Sequence, residues 1–390
     1  MGGRVLIALV GVAAVAVGVT ACGQQGGSGT GAASASPGSL GQRLASAQAS
    51  ERSAAAAQSG GASAAPGGGA PGTPGTGALA DWTFGSLGGS GGYMSVSCPT
   101  AAFCMAAGSG GDVYTFDGSA WTGPRDADPG ADNGQSLQQD IGVSCASASF
   151  CVLVDDAGNA LTWNGSTWSA ADALGGVGGP GGLAVSCASA GFCLAIDSGG
   201  GTYVWNGSGW TTGQPLPPDT AAEQDPGSLA DPFYQVSCPS TSFCVAAGAD
   251  GTFATFNGTS WTTPVSVDST VTGGTGEGVT ISCVSDTFCS AVDSNGNAYT
   301  FTGSAWKPAG LVTNGDRGTI SCPSAGDCLA VDDYGYPATL SGDSWTEGPR
   351  TPLPIMISVG GNPALPAAVS CASASLCVAV ANDRYGIWHS

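Results

Sequence analysis

Fourteen of the fifteen cysteines fall into seven pairs: Cys98 with Cys104, Cys145 with Cys151, Cys187 with Cys193, Cys238 with Cys244, Cys283 with Cys289, Cys322 with Cys328, and Cys371 with Cys377. The two sulfurs of each pair are always separated by five residues. Thiols so placed could hold metal, cycle between redox states or bridge. Structural zinc favours closer spacing and some histidine, and the single histidine is His389. An even count at one fixed spacing favours a disulfide within each pair, provided the compartment is oxidising. Closing so short a loop contributes roughly 2–2.5 kcal/mol per bridge in the chain-entropy picture. A redox role is the lesser alternative.

Oxygen ligands cluster in three turns: Asp155-Asp156-Ala-Gly-Asn159, Asp293-Ser-Asn295-Gly-Asn297 and Asp332-Asp333-Tyr-Gly. Calcium takes such oxygens, but none of the three completes an EF-hand loop. Tight hairpins need Asp-Gly and Asn-Gly in any case. Turn chemistry is therefore the leading reading, with no cofactor expected and calcium the minor alternative. Arg125, Arg317, Arg350 and Arg384, with Glu223, Glu277, Glu347 and Tyr234, are residue types that a glycosidase uses, yet their spacing matches no motif. A lone histidine also argues against histidine acid–base chemistry. A non-enzymatic role is expected.

The elements that position these residues are legible as a repeat. First cysteines follow one another at intervals of 47, 42, 51, 45, 39 and 49 residues, in the range of propeller blades. Around each pair, short β-branched runs flank a small-residue turn, as in Val143–Asp155 and Ile281–Asp293. That pattern is a hairpin signal. A Gly-containing turn and a third strand follow, ending at Phe116, Trp163, Trp205, Phe256, Phe301, Leu340 or Trp388. In six copies a tryptophan stands five residues further on: Trp121, Trp168, Trp210, Trp261, Trp306 and Trp345. One tryptophan per repeat points to packing between blades rather than to a sugar-stacking set.

Each repeat reads as four short antiparallel strands, so the fold class is all-β: a seven-bladed β-propeller with one disulfide per blade. The seventh copy lacks its last strand, which Asp81-Trp82-Thr83-Phe84 can supply from the N-terminal side. Such closure removes the free sheet edges of a linear array. Over residues 80–390 the chain resembles known β-propellers of the sialidase- and kelch-like superfold, above all secreted bacterial ones with Ser-Cys-x5-Cys repeats. It lacks the Gly-His and Trp-Asp punctuation of WD40 repeats. Sialidases carry an Asp-box, and the nearest text here, Asp293-x-x-Gly296, departs from it in spacing and in location between strands.

Residues 1–21 carry Arg4 and an apolar, small-residue run, the layout of a secretory signal too short for a comfortable membrane span. Val19-Thr20-Ala21-Cys22 resembles the bacterial lipobox, which implies cleavage before Cys22 and lipid on that cysteine. Residues 22–79 are Gly, Ser, Ala, Pro and Gln with few charges and no aromatic residue. Such a segment cannot offset its ordering entropy by burial. It reads as a tether with a reach of roughly 40 Å. The expected location is the extracellular side of a bacterial cell membrane, with the lipid as the only membrane contact and the propeller a monomer.

Of 28 acidic residues only Glu51 precedes the propeller, as do Arg4, Arg43 and Arg52 among eight basic ones, leaving a net charge near −22 in residues 80–390. Nucleic acid needs a basic footprint and is excluded as a partner. Strand direction puts the strand 2–3 turns and the strand 4–1 connections on one face. Most of the acids sort there, and so do the five basic residues, Lys307 among them. The long connections 123–141, 213–234, 264–280 and 349–368 share that face, and loops of such length are often functional. A protein or glycan ligand is expected there, at Asp126, Asp128, Asp132, Asp225, Asp231, Phe233 and Tyr234. An accessory subunit of envelope assembly or transport machinery is the alternative reading.

Overall fold

The computed structural model describes residues 82–88, 94–108, 111–127, 141–155, 157–174, 183–197, 199–218, 233–248, 251–267, 279–293, 295–312, 318–332, 335–349, 351 and 368–389. The chain divides into two units, Met1–Pro71 and Gly72–Ser390, and every described residue belongs to the second. All regular structure among them is β.

A single strand, β1 (Trp82–Ser86), precedes the first blade. Blade 1 is β2 (Met94–Thr100), β3 (Phe103–Gly108), β4 (Asp112–Phe116) and β5 (Trp121–Asp126). Blade 2 is β6 (Ile141–Ser147), β7 (Phe150–Asp155), β8 (Asn159–Trp163) and β9 (Asp172–Ala173). Blade 3 is β10 (Ala184–Ser189), β11 (Phe192–Ile196), β12 (Thr202–Trp205) and β13 (Trp210–Thr212). Blade 4 is β14 (Phe233–Ser240), β15 (Phe243–Gly248), β16 (Thr252–Phe256) and β17 (Val265–Ser266). Blade 5 is β18 (Thr280–Ser285), β19 (Phe288–Val292), β20 (Asn297–Phe301) and β21 (Trp306–Leu311). Blade 6 is β22 (Thr319–Ser324), β23 (Asp327–Val331), β24 (Pro337–Ser341) and β25 (Ser344–Glu347). Blade 7 is β26 (Ala368–Ser373), β27 (Leu376–Ala381) and β28 (Arg384–His389), completed by β1.

Every blade is a four-stranded antiparallel sheet in simple meander order, and β1 pairs with β28 in the register Trp82↔Trp388 to Ser86↔Arg384. Closure of the ring is therefore as the repeat predicts. Leu87 N also donates to Asp383 O at 2.6 Å, and the Ser86 hydroxyl donates to Asp383 Oδ2 at 3.2 Å. First strands of successive blades lie side by side all round, β26 against β2 included. They are the innermost strands.

The core lies between blades. One cluster joins Val96, Tyr114 and Phe116 of blade 1 to Leu376, Val378 and Ile387 of blade 7, and another joins Met105 and Val113 to Leu153, Leu161 and Trp163 of blade 2. Second strands are covered on both faces and flanked within the sheet, so their sequences are unbroken small and apolar runs such as Cys104–Ala107 and Cys151–Val154, fully buried.

All seven cysteine pairs are bridged as their spacing predicts: Cys98 to Cys104, Cys145 to Cys151, Cys187 to Cys193, Cys238 to Cys244, Cys283 to Cys289, Cys322 to Cys328, and Cys371 to Cys377. The Cα atoms of each pair are 3.9–4.1 Å apart. Spacing does not distinguish the two ends of a bridge, but the structure does. Cys104, Cys151, Cys193, Cys244, Cys289, Cys328 and Cys377 all lie in second strands and are buried, whereas Cys187, Cys283 and Cys371 in first strands are only partly covered.

The serine before each first cysteine has a function that spacing alone did not reveal. Its hydroxyl oxygen accepts the amide N–H of the first cysteine in the next blade at 2.9 Å: Ser97 from Cys145, Ser144 from Cys187, Ser186 from Cys238, Ser237 from Cys283, Ser282 from Cys322 and Ser321 from Cys371. Ser370 accepts from Cys98 and completes the circle. An inner strand has no sheet neighbour on its channel side, and this ring satisfies one edge donor per blade.

The outer strands differ from expectation in two blades. In blades 2 and 4 the tryptophan makes only an isolated bridge, Trp163↔Trp168 and Phe256↔Trp261. Directly afterwards half of each rung changes: Ser169 N and Thr262 N still donate to Thr162 O and Thr255 O at 2.8 Å, but Thr162 N donates to Ser169 Oγ and Thr255 N to Thr262 Oγ1. Regular pairing resumes only at Asp172 and Val265.

Candidate functional site

Four strand 2–3 turns are organised by a buried aspartate: Asp155, Asp197, Asp293 and Asp332, each 5% exposed or less. Asp155 Oδ1 accepts Asn159 N at 2.8 Å, and its Oδ2 accepts the Asn159 side-chain amide at 2.9 Å. Asp293 Oδ1 accepts the amides of Asn295 and Asn297, while Oδ2 accepts Asn297 Nδ2 and the Tyr299 hydroxyl, all at 2.8–2.9 Å. Asp197 holds Gly199, Gly201 and the Tyr203 hydroxyl in the same manner, and Asp332 accepts Tyr336 N at 2.7 Å. Burial, and after it the bond to Asp197, pushes the Tyr203 phenol up to about 12. The carboxylates of Asp155, Asp293 and Asp332, expected among the cation ligands, thus accept bonds from their own turns, and Asn295 contributes its backbone N–H to the turn while its side chain is exposed. Among the described residues no group of three or more His, Cys, Asp or Glu side chains is placed to hold a metal ion.

Asp156 and Asp333 lie outside the described residues, as do Cys22, Asp128, Asp132, Asp225 and Asp231 of the expected anchor and binding face. Phe233 and Tyr234 were expected in a connection and instead begin β14, with Phe233 paired to Gly248. Lys307, expected on the strand 4–1 face, is in β21 beside Thr300, next to the strand 3–4 turn. Asp197 was missed because Gly199-Gly200-Gly201 follows it instead of asparagine. The repeat phase was the available signal, since Asp197 stands four residues after the second cysteine, as Asp155 and Asp293 do.

Asp126 is the expected binding-face residue that the structure places at a cavity. The cavity, of about 700 Å³, lies between blades 1 and 2. Its apolar walls include Phe103, Met105, Val113, Phe116, Trp163 and Trp168, and its polar groups are Thr115, Asp117, Thr122, Arg125, Asp126, Ser166 and Thr167. A β-bulge builds this lining. In the β4–β5 pair the register passes from Thr115↔Thr122 to Val113↔Arg125, so Gly123 and Pro124 together face Tyr114. Side chains alternate along a strand, and the extra residue brings Thr122 and Arg125 to one side instead of opposite sides. Gly123 has φ +142°, and a Cβ there would come within 2.8 Å of Tyr114 Cδ1 and Val113 O, so no larger residue fits the bulge.

A carboxylate stands at each end of the cavity. At one end Asp117 caps the strand 3–4 turn, and the Ser119 hydroxyl, with the Ala120 and Ser119 amides, holds its carboxyl down at about 2. At the other end Asp126 faces Asp112 across the strands. Burial first, and the Asp126 charge second, raises the Asp112 carboxyl above the usual carboxylate range. Arg125 is exposed, and its guanidinium makes no ion pair or hydrogen bond among the described residues.

These features define a closed, disulfide-stapled seven-bladed β-propeller with a mixed apolar and polar cavity between two blades. No protein-family model matches the chain, and no curated protein does. Solved structures do. YCF48 bound to D1 peptide is similar over 80% of this chain and 95% of its own, with a TM-score of 0.55 and 12% identity. YCF48 from Cyanidioschyzon merolae aligns over 79% and 98% at TM-score 0.55 and 15% identity. The U3-55K structure aligns over 80% and 99% at TM-score 0.58 and 12% identity. At such identities the shared property is the fold.

Proposed function

We propose that this chain is an extracytoplasmic binding or scaffold propeller, secreted through residues 1–21, lipid-anchored at Cys22 and tethered by residues 22–79, which receives a protein or glycan ligand on the strand 4–1 face. The observation that carries this reading is where the chain joins the ring. Trp82 pairs with Trp388 at the end of β28, on the face of the tight strand 3–4 turns, whereas Ser86 pairs with Arg384 on the opposite face. The chain thus enters β1 on the tight-turn face, opposite the strand ends from which the strand 4–1 connections leave.

Electrostatics support the same orientation. A propeller with so few basic residues is repelled by an anionic lipid surface, and a face rich in carboxylates turns from it. Binding and scaffolding are also what a rigid closed ring serves well: its loops can vary without disturbing the blades. The peptide-bound YCF48 structure is a propeller of this architecture holding a polypeptide ligand.

The test is a membrane fractionation followed by capture. Full-length protein should partition with membranes, and Cys22→Ser should move it to the soluble fraction. Crosslinking in its native envelope should then yield a partner that is lost when the four long connections are replaced by short turns. A Cys22→Ser protein still in the membrane fraction overturns the anchor, and a partner retained without those connections overturns the face.

A further inference from the structure

We propose that the cavity between blades 1 and 2 is a saccharide-binding site on the rim of the propeller, which takes a neutral sugar ring against Trp168. It lies on the rim and reaches the strand 4–1 face only at its Asp126 end, and its failure leaves that reading standing.

Two outer-strand tryptophans are covered by a ring of the preceding blade. Trp306 of blade 5 is covered by Phe253 of blade 4, with ring centroids 3.8 Å apart and planes within 9°. Trp121 of blade 1 meets Tyr385 of blade 7 at 5.9 Å. Phe253 and Tyr385 occupy the same place in their blades, three residues before the aromatic that ends the third strand, Phe256 and Trp388. No ring stands at that place in blades 1, 2, 3 and 5, which have Val113, Ala160, Thr202 and Ala298 there; in blade 1, Val113, three residues before Phe116, lines the cavity together with Trp168. The cavity is the volume of the missing ring and its surroundings. Trp168 is half-buried, with its indole N–H buried as in the other outer-strand tryptophans, so what it offers is a ring face.

The polar groups decide which ring fits. The hydroxyls of Thr115 and Thr122 bond each other, and those of Ser166 and Thr167 bond Asn164, so the Arg125 guanidinium is the group that a planar apolar ligand would leave idle. An anionic ligand would meet Asp117 and Asp126, against one cation, in a propeller of strongly negative charge. A sugar ring has an apolar C–H face for the indole and a rim of hydroxyls that both donate and accept. The guanidinium supplies donors, the carboxylates supply acceptors, and the hydroxyls supply either. At about 700 Å³ the cavity lies within the usual range of small-ligand sites, roughly 300–1,000 Å³. The bulge at Gly123–Pro124 is the device that brings Arg125 to this side, and bulges commonly re-aim side chains at functional sites.

The test presents the full chain to an array of immobilised neutral oligosaccharides, fragments of β-glucan, xylan, chitin and mannan, beside an array of peptides, with calorimetric titration of whatever is retained. Retention of at least one neutral saccharide is expected. Arg125→Ala should weaken it about tenfold, the ordinary consequence of losing a charge-assisted hydrogen bond. Val113→Phe should abolish it while melting close to wild type, because the new ring takes the place that Phe253 takes against Trp306. If Val113→Phe does not fold, Arg125→Ala decides alone, since that side chain is exposed. Absence of saccharide retention, retention of peptides only, or saccharide affinity unchanged in both variants overturns the proposal.

Discussion

Asp112 stands directly opposite Asp126 in the β4–β5 register, and like charges so placed in a sheet oppose folding. Because the Asp112 pKa is raised in the folded protein, the fold binds that proton more tightly than the unfolded chain does. The stabilising contribution is complete below the unfolded value and is lost as pH rises through the folded one. At neutral pH the ionised pair is a cost. Asp112→Asn is expected to stabilise the protein at pH 7 by about 0.5 kcal/mol in chemical denaturation, with the gain disappearing towards about pH 3. A gain that persists undiminished in acid would assign it to something other than charge. At this scale the turn aspartates were readable, since Asp155, Asp293 and Asp332 fill the position a tight hairpin needs. What could not be read was how many donors each carboxylate accepts, because the Tyr299 hydroxyl reaches Asp293 from the third strand.

Within a blade, the bridge and the serine hydrogen bond act on the same inner strand from two sides. The disulfide ties the first strand to the second, and the preceding serine ties it to the next blade, as at Cys283 and Ser282 in blade 5. Replacing Cys283 and Cys289 together by alanine removes the bridge and leaves that ring hydrogen bond intact. The expected loss is about 2–2.5 kcal/mol, measured by denaturant unfolding under oxidising conditions. A loss indistinguishable from zero would mean that the bridge merely decorates a hairpin already held by its neighbours. The pairing of cysteines was legible from spacing alone, whereas the extent of the outer strands was not. Periodicity cannot foresee that the Ser169 and Thr262 hydroxyls accept one backbone N–H that a regular ladder would give to a carbonyl.

For the whole molecule the decisive contact is closure of blade 7. Trp82 is 6% exposed and packs with Leu329, Val331 and Val369, so β1 joins blade 7 to blade 6 as well as covering the edge of β28. A chain beginning after Ser86 should lose this packing and expose a strand edge. We expect a markedly lower melting temperature and concentration-dependent association by light scattering; a truncated chain that stays monomeric and melts like the parent would show that closure contributes nothing. The amino-acid sequence by itself determined the number of blades, the cysteine partners and the order of closure, because those follow from a repeat whose period and phase are local. Only the tertiary structure decided the serine ring, the re-aimed Arg125 and the cavity beside Trp168. Each of these depends on which residues of two different blades meet, and a bulge of one residue at Gly123–Pro124 or a valine at position 113 changes that meeting without altering the repeat.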